Sequence, residues 1–411
     1  MARQSARTVY RFSRLLSAQR IENGMRIVFA HNRYVLRGGE DESRDQEISM
    51  LRARGHEVIE YLVDNNDISR KNLITVGIRS VWNGDQYQRI KTFLGQTKPD
   101  ILKVDNYFPL LSPSVFEAAK SMGVSTVLSV RNYRLICPAG TLFRSGEICK
   151  DCIATKFALP AIRHRCHHNS YLQTSSVVLS NAYARVRGTW TNSVDRYIAV
   201  SELVKRLLVS GGFSAEKISV KANSIPDTGP GDGSGKFAIF VGRLIEEKGI
   251  RTMIAACGKV GAKMPLKVIG EGALERVVQQ AASESPSVQY LGRKKLKEVC
   301  ELIGRAAVLI FPSEWLEPFG RSIVEAYSKG TPVIAADTEG MRDMIEDGQT
   351  GMIYEAGDSD DLAEKVLSLA GAPERLERMR VAARERYLRL YSEEHTYSQM
   401  MSVFARALSN R

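Results

Sequence analysis

Apolar positions along this chain recur with two different spacings, and the spacings take turns. Residues 26–30 form a short β-branched and aromatic run, residues 41–54 follow a helical pattern, and residues 58–63 return to a compact apolar run. Strand, amphipathic helix and strand in that order predict a βαβ unit. The rhythm continues through runs at 101–104, 126–130 and 197–200, with a helical stretch at 114–120, which suffices for one doubly wound domain. Residues 223–236 interrupt it, with Pro226 and Pro230 standing among glycines and small polar residues around Asp232, the composition of a linker. A second series follows, with strand-like runs at 237–241, 266–269, 288–291, 308–311 and 332–335 separated by amphipathic helices.

The predicted fold class is therefore α/β, with two Rossmann-like doubly wound domains facing a central cleft and ligands expected at the carboxyl ends of the strands. A length of 411 residues suits two domains of roughly 200 each. The boundaries read as a basic extension over 1–24, an N-terminal domain over 25–225 and a C-terminal domain over 226–391. A last amphipathic stretch at about 392–411 is expected to pack back on the first domain.

Charge adds an asymmetry that the pattern does not show. Residues 1–230 hold 33 Lys and Arg against 20 Asp and Glu, whereas residues 231–411 hold 25 against 26. Residues 153–194 contain no acid, but include Lys156, Arg163, Arg165, Arg185 and Arg187 with His164, His167 and His168. Such a surface favours an anionic headgroup, a lipid diphosphate or a phosphorylated substrate. No nucleic-acid-binding motif accompanies it, so nucleic acid is not an expected partner. No apolar run reaches the roughly 18 residues of a spanning helix, and the first residues are not built like a secretory signal. The expected location is cytoplasmic and peripheral, on the inner face of the cell membrane.

Candidate chemistry concentrates in the second half. After the run at 237–241, Gly242 and Arg243 lead to Lys248 and Gly249, two cations five residues apart at a strand-to-helix turn. Glycines admit a diphosphate to the backbone, and the two side chains neutralise it from two directions. After the run at 308–311 comes Glu317-Pro318-Phe319-Gly320-Arg321-Ser322-Ile323-Val324-Glu325, whose two carboxylates suit vicinal hydroxyls of a sugar and a ribose.

Together with Gly330-Thr331-Pro332-Val333-Ile334-Ala335 and Glu346-Asp347-Gly348-Gln349-Thr350-Gly351, these motifs resemble the retaining glycosyltransferases of family four, which have the GT-B fold. The resemblance extends to Arg37-Gly38-Gly39-Glu40-Asp41, to Pro109-Leu110-Leu111-Ser112-Pro113 and to Asn132-Tyr133-Arg134-Leu135-Ile136-Cys137-Pro138, and covers residues 25 to 391. It implies that Arg243 and Lys248 bind the donor diphosphate, Glu317 the transferred sugar and Glu325 the ribose. Phe319, Gly320 and Arg321 would complete the donor site, and the Gly38–Gly39 loop would close over the diphosphate. It further implies transfer from a UDP- or GDP-linked sugar to a glycan acceptor, with a polyprenyl-diphosphate-linked acceptor matching the basic first half. No catalytic metal or other catalytic cofactor is implied, because cationic side chains stabilise the leaving group. Relatives commonly carry histidines where this chain has Lys103, Asp105 and Arg131. With Asn106 and Asn132, these three outline an altered acceptor or sugar pocket.

Four of the six cysteines, Cys137, Cys149, Cys152 and Cys166, fall within thirty residues and include a C-x-x-C knuckle. The spacing fits a structural zinc site. Two other readings stay open: a nucleotide-sugar epimerase of the same fold, and a nucleotide-sugar-binding protein with impaired catalysis. A dehydrogenase is disfavoured, because no G-x-G-x-x-G follows either first strand.

Overall fold

The computed structural model describes residues 24–35, 38–70 and 73–409. Residues 1–23 of the expected extension, and Arg37 of the glycine motif, lie outside them. The chain divides into two compact units. One holds the described residues up to Thr141 together with Lys150–Ser224 and the chain from Thr396 on; the other holds Leu142–Cys149 and Ile225–His395.

In the first unit the strands are β1 (Arg26–Arg33), β2 (Glu57–Asp64), β3 (Ile101–Asn106) and β4 (Ser125–Val130). A two-stranded hairpin, β5 (Phe143–Arg144) and β6 (Glu147–Ile148), interrupts them and groups with the second unit. The first unit resumes with β7 (Arg196–Ala199) and β8 (Ile218–Val220). Its sheet is parallel throughout, in the order β2-β1-β3-β4-β7-β8. Strands β3 and β4 are buried along their whole length, as the middle of a sheet covered on both faces must be. The helix Glu393–Leu408 covers one of those faces. Its Met400, Phe404 and Ala407 pack in one core with Ile27 and Phe29 of β1, Ile101 of β3, Val127 of β4 and Ile198 of β7.

The second unit contains β9 (Ala238–Val241), β10 (Leu266–Ile269), β11 (Val288–Tyr290), β12 (Val308–Phe311), β13 (Val333–Ala336) and β14 (Gly351–Tyr354). The sheet order is β11-β10-β9-β12-β13-β14, again all parallel. The winding runs outward in one direction from β9 through β10 to β11, and in the other from β12 to β14. The direction reverses between β9 and β12, and that switch point is where open α/β sheets leave a crevice for a ligand. Among the described residues no helix is long and apolar enough to cross a membrane.

Candidate functional site

The two motifs singled out in the second half leave the carboxyl ends of the two strands flanking this switch point. Arg243 and Lys248 follow β9, and Glu317 follows β12. Gly249 permits their approach: its φ is +63°, and a Cβ there would sit 2.0 Å from the Pro312 carbonyl oxygen. No other residue type fits that position without moving backbone. The loops are also tied together, since the Glu314 N–H donates to the Glu247 carbonyl at 3.0 Å and the Thr252 hydroxyl to the Glu314 carboxylate at 2.6 Å.

Held this way, Lys248 forms an ion pair with Glu317. The same Glu317 oxygen accepts from the Trp315 indole N–H at 2.9 Å and from the Ser313 hydroxyl at 3.4 Å. The Lys248 ammonium also lies over the rings of Phe311 and Trp315, at 5.4 and 5.8 Å. A carboxylate with three donors on one oxygen is fixed in orientation, and its other oxygen can accept from a hydroxyl. Glu317 is buried, and so is Phe319, whose ring meets Tyr391 edge-on at 6.5 Å. Gly320 takes φ +57° and caps the helix Arg321–Ser328. Glu325, one turn into that helix, accepts from Arg321 at 2.8 Å. In the first unit, the Gly38 N–H donates at 3.1 Å to Asp41, which also contacts the His31 ring at 2.9 Å. The helix Gly39–Ala53 begins immediately after Gly38.

The altered pocket differs from the expectation. Lys103 does not line an open site; it is completely buried and pairs with Glu47 at 2.9 Å and with Asp105. Arg131 pairs with the same two carboxylates, at 2.9 and 3.4 Å, and donates to Asn223. Lys221, just past β8, adds a third cation 2.6 Å from Glu47. Burial works against ionising the Glu47 carboxyl, yet Arg131, Lys103 and Lys221 outweigh it and hold it well below the usual carboxylate range. Asp105 is lowered as well: burial and Glu47 raise it, while Lys103 and Arg131 prevail. Three cations thus share two carboxylates inside the unit, and Lys103 and Arg131 each pair with both, so their charges are already committed. Asp105, Asn106, Arg131 and Asn132 do share a cavity, of about 20 Å³, room for about one water. Asn132 also donates to Glu40 at 3.1 Å.

The four clustered cysteines are each half-buried, and the structure does not gather them into a zinc shell. Among the described residues no three His, Cys, Asp or Glu side chains are grouped so that they could hold a metal ion. A C-x-x-C spacing sets two thiols at knuckle distance in sequence, but the flanking pair must be supplied by the fold. Basic residues of the acid-free run are partly committed too. Arg187 pairs with Glu117 at 2.8 Å, and Arg185 donates to the Gly211 carbonyl at 3.2 Å. Lys156, Arg163 and Arg165 are exposed.

A pair of parallel Rossmann-like sheets with a phosphate-suited crevice defines the class of the protein: its fold is that of the GT-B glycosyltransferases. A glycosyltransferase from Rickettsia africae superposes with TM-score 0.66 at 16% identity, covering 95% of this chain and 100% of that one. The Anabaena protein HepE in complex with UDP gives TM-score 0.64 at 16% identity, over 92% and 99%. Within that class, residues 225–386 match the family described as glycosyl transferases group 1. The phosphatidyl-myo-inositol mannosyltransferase of Mycobacterium leprae is 30% identical over 241 residues, which is 56% of this chain and 64% of the relative. Across the curated relatives the matched part spans 44–64% of their own length.

Proposed function

We propose that this chain transfers a sugar, with retention of anomeric configuration, from a UDP- or GDP-linked donor to a glycan acceptor. One observation carries the reading: the Arg243 and Lys248 motif and the Glu317 motif leave the two strands that flank the switch point of the second sheet. As the sugar C1–O bond breaks, its electron pair leaves with the nucleoside diphosphate, and two cations positioned there stabilise the developing charge without needing a metal ion. Glu317 holds the transferred sugar through its hydroxyls, and Glu325 the ribose. The acceptor hydroxyl forms the new C1–O bond on the face the diphosphate leaves, and gives its proton to the departing phosphate oxygen.

The acceptor in this reading is lipid-linked and used in building a cell-surface polysaccharide. The excess of basic residues in the first 230 draws the protein to an anionic membrane surface. Incubation with a panel of nucleotide sugars and an acceptor extract, with and without EDTA, tests the chemistry through nucleoside diphosphate release. Magnetic resonance of the product tests the anomer. Release that stops in EDTA, or a product of inverted anomer, overturns the metal-independent retaining reading.

A further inference from the structure

The first unit contains a pocket that the donor chemistry does not use. It has a volume of about 470 Å³ and opens at the carboxyl edge of the sheet. Tyr34 reaches it from beyond β1, Asn66 from beyond β2, Phe108 from beyond β3 and Arg134 from beyond β4. Val76 of the helix Leu73–Val81 and Leu172 of the helix Tyr171–Val186 complete the wall. Strand ends of a doubly wound sheet are where its ligand belongs, yet this lining is mainly apolar.

The apolar surface continues outside. Leu172, Leu179 and Val186 are spaced seven apart on one face of their helix and are 50%, 56% and 79% exposed. Ile74 and Ile78, one turn apart on the helix packed against it, are also exposed. Exposed apolar side chains lined up on packed helices mark a surface that meets a partner. Basic side chains stand at the pocket end of this face. Arg134 lines the pocket, and its Nε is buried without a hydrogen-bond partner among the described residues. Arg165 and His168 are exposed in the loop before the helix, where both take left-handed backbone, φ 51° and 53°. Such strain in residues other than glycine persists only where the surroundings enforce it.

We propose that this pocket receives the hydrocarbon chain of a lipid phosphate, with the anionic head held by Arg134 and Arg165. The inference rests on the glycosyl-transfer reading in one respect, that this lipid is the acceptor's carrier. Neither half of such a ligand is dispensable: a free phosphate leaves the apolar wall in water, and an uncharged lipid leaves the Arg134 Nε–H without an acceptor.

The test uses the full chain and three probes, geranylgeranyl phosphate, geranylgeraniol and inorganic phosphate, with UDP titrated separately. Geranylgeranyl phosphate should bind saturably, at least about tenfold more tightly than either other probe. The double variant Leu73→Glu, Leu172→Glu, which changes two half-exposed side chains at the pocket, should lose that binding and keep its UDP affinity. No saturable lipid binding by a parent that binds UDP overturns the pocket alone. Inorganic phosphate binding as tightly as the lipid, or an unimpaired double variant, overturns it too. A parent that binds the lipid but neither binds UDP nor turns over any nucleotide sugar sinks the glycosyl-transfer reading and leaves the pocket standing.

Discussion

The indole N–H of Trp315 donates at 2.9 Å to the Glu317 oxygen that also pairs with Lys248. Trp315 thus sets the direction of a carboxylate two residues along, while its ring lies beneath the Lys248 ammonium. Replacing it by phenylalanine keeps a ring and removes the donor. Turnover of Trp315→Phe should fall about tenfold, the scale of one hydrogen bond to a charged group. Nucleoside diphosphate release at saturating donor measures this, and an unchanged rate shows that Lys248 and Ser313 orient Glu317 without it.

Glu317→Gln and Lys248→Ala should each lower turnover by about a hundredfold or more, as expected for a charged contact to the transition state. Lys248 ends a single 3-10 turn and Glu317 stands on a loop, and Glu317 retains Trp315 and Ser313 as donors when Lys248 is gone. Circular dichroism and the melting temperature should therefore stay close to those of the parent. Near-normal turnover in either variant removes these residues from the chemistry.

Glu47 is the carboxylate shared by Lys103, Arg131 and Lys221. Glu47→Ala should cost about 3–5 kcal/mol, because it leaves buried cations without their partner. Urea unfolding at neutral pH reads this directly. The sign of the pH dependence follows from the lowered Glu47 and Asp105. Their stabilisation is fully present above the unfolded carboxylate value of about 4.3 and is lost as pH falls towards and through the folded value. The variant should lose part of that acid-side slope; an unaltered slope would mean that the ion group does not govern acid stability.

His167 behaves in the opposite chemical sense. Burial, with His168 and Arg134 nearby, pushes its imidazolium down to about 3, against roughly 6.5 in an unfolded chain. Between those values the unfolded state takes up a proton that the folded state refuses, so stability falls as pH drops below 6.5. His167→Gln should show a flatter melting temperature against pH over that window. A slope equal to the parent's would assign the loss to other groups.

Much of this was legible in the sequence, and the exceptions have a common cause. Leu266–Ile269 and Val308–Phe311 have the same bounds in the structure as in the apolar pattern, because buried strands read as apolar runs, unbroken in Val308–Phe311 and interrupted only by Lys267 in Leu266–Ile269. Strand β8, two of whose three residues are partly exposed, left no such run, and neither did β14. The candidate donor residues stood out because strand-end glycines and paired charges lie close together in sequence. Glu47 and Lys221 were not, since 174 residues separate them and each looks like an ordinary surface charge until the sheet brings them together. Trp315 carried no signal beyond being a tryptophan between two glutamates.

The helix Glu393–Leu408 closes the core of the unit to which β1 belongs. On the ribosome, the strands of this unit thus emerge well before the helix that covers them. Their sheet can form early, but one apolar face stays uncovered through the synthesis of the entire second unit. A chain stopped just before Thr396 would keep every residue of the candidate donor site and still be released with an open hydrophobic face.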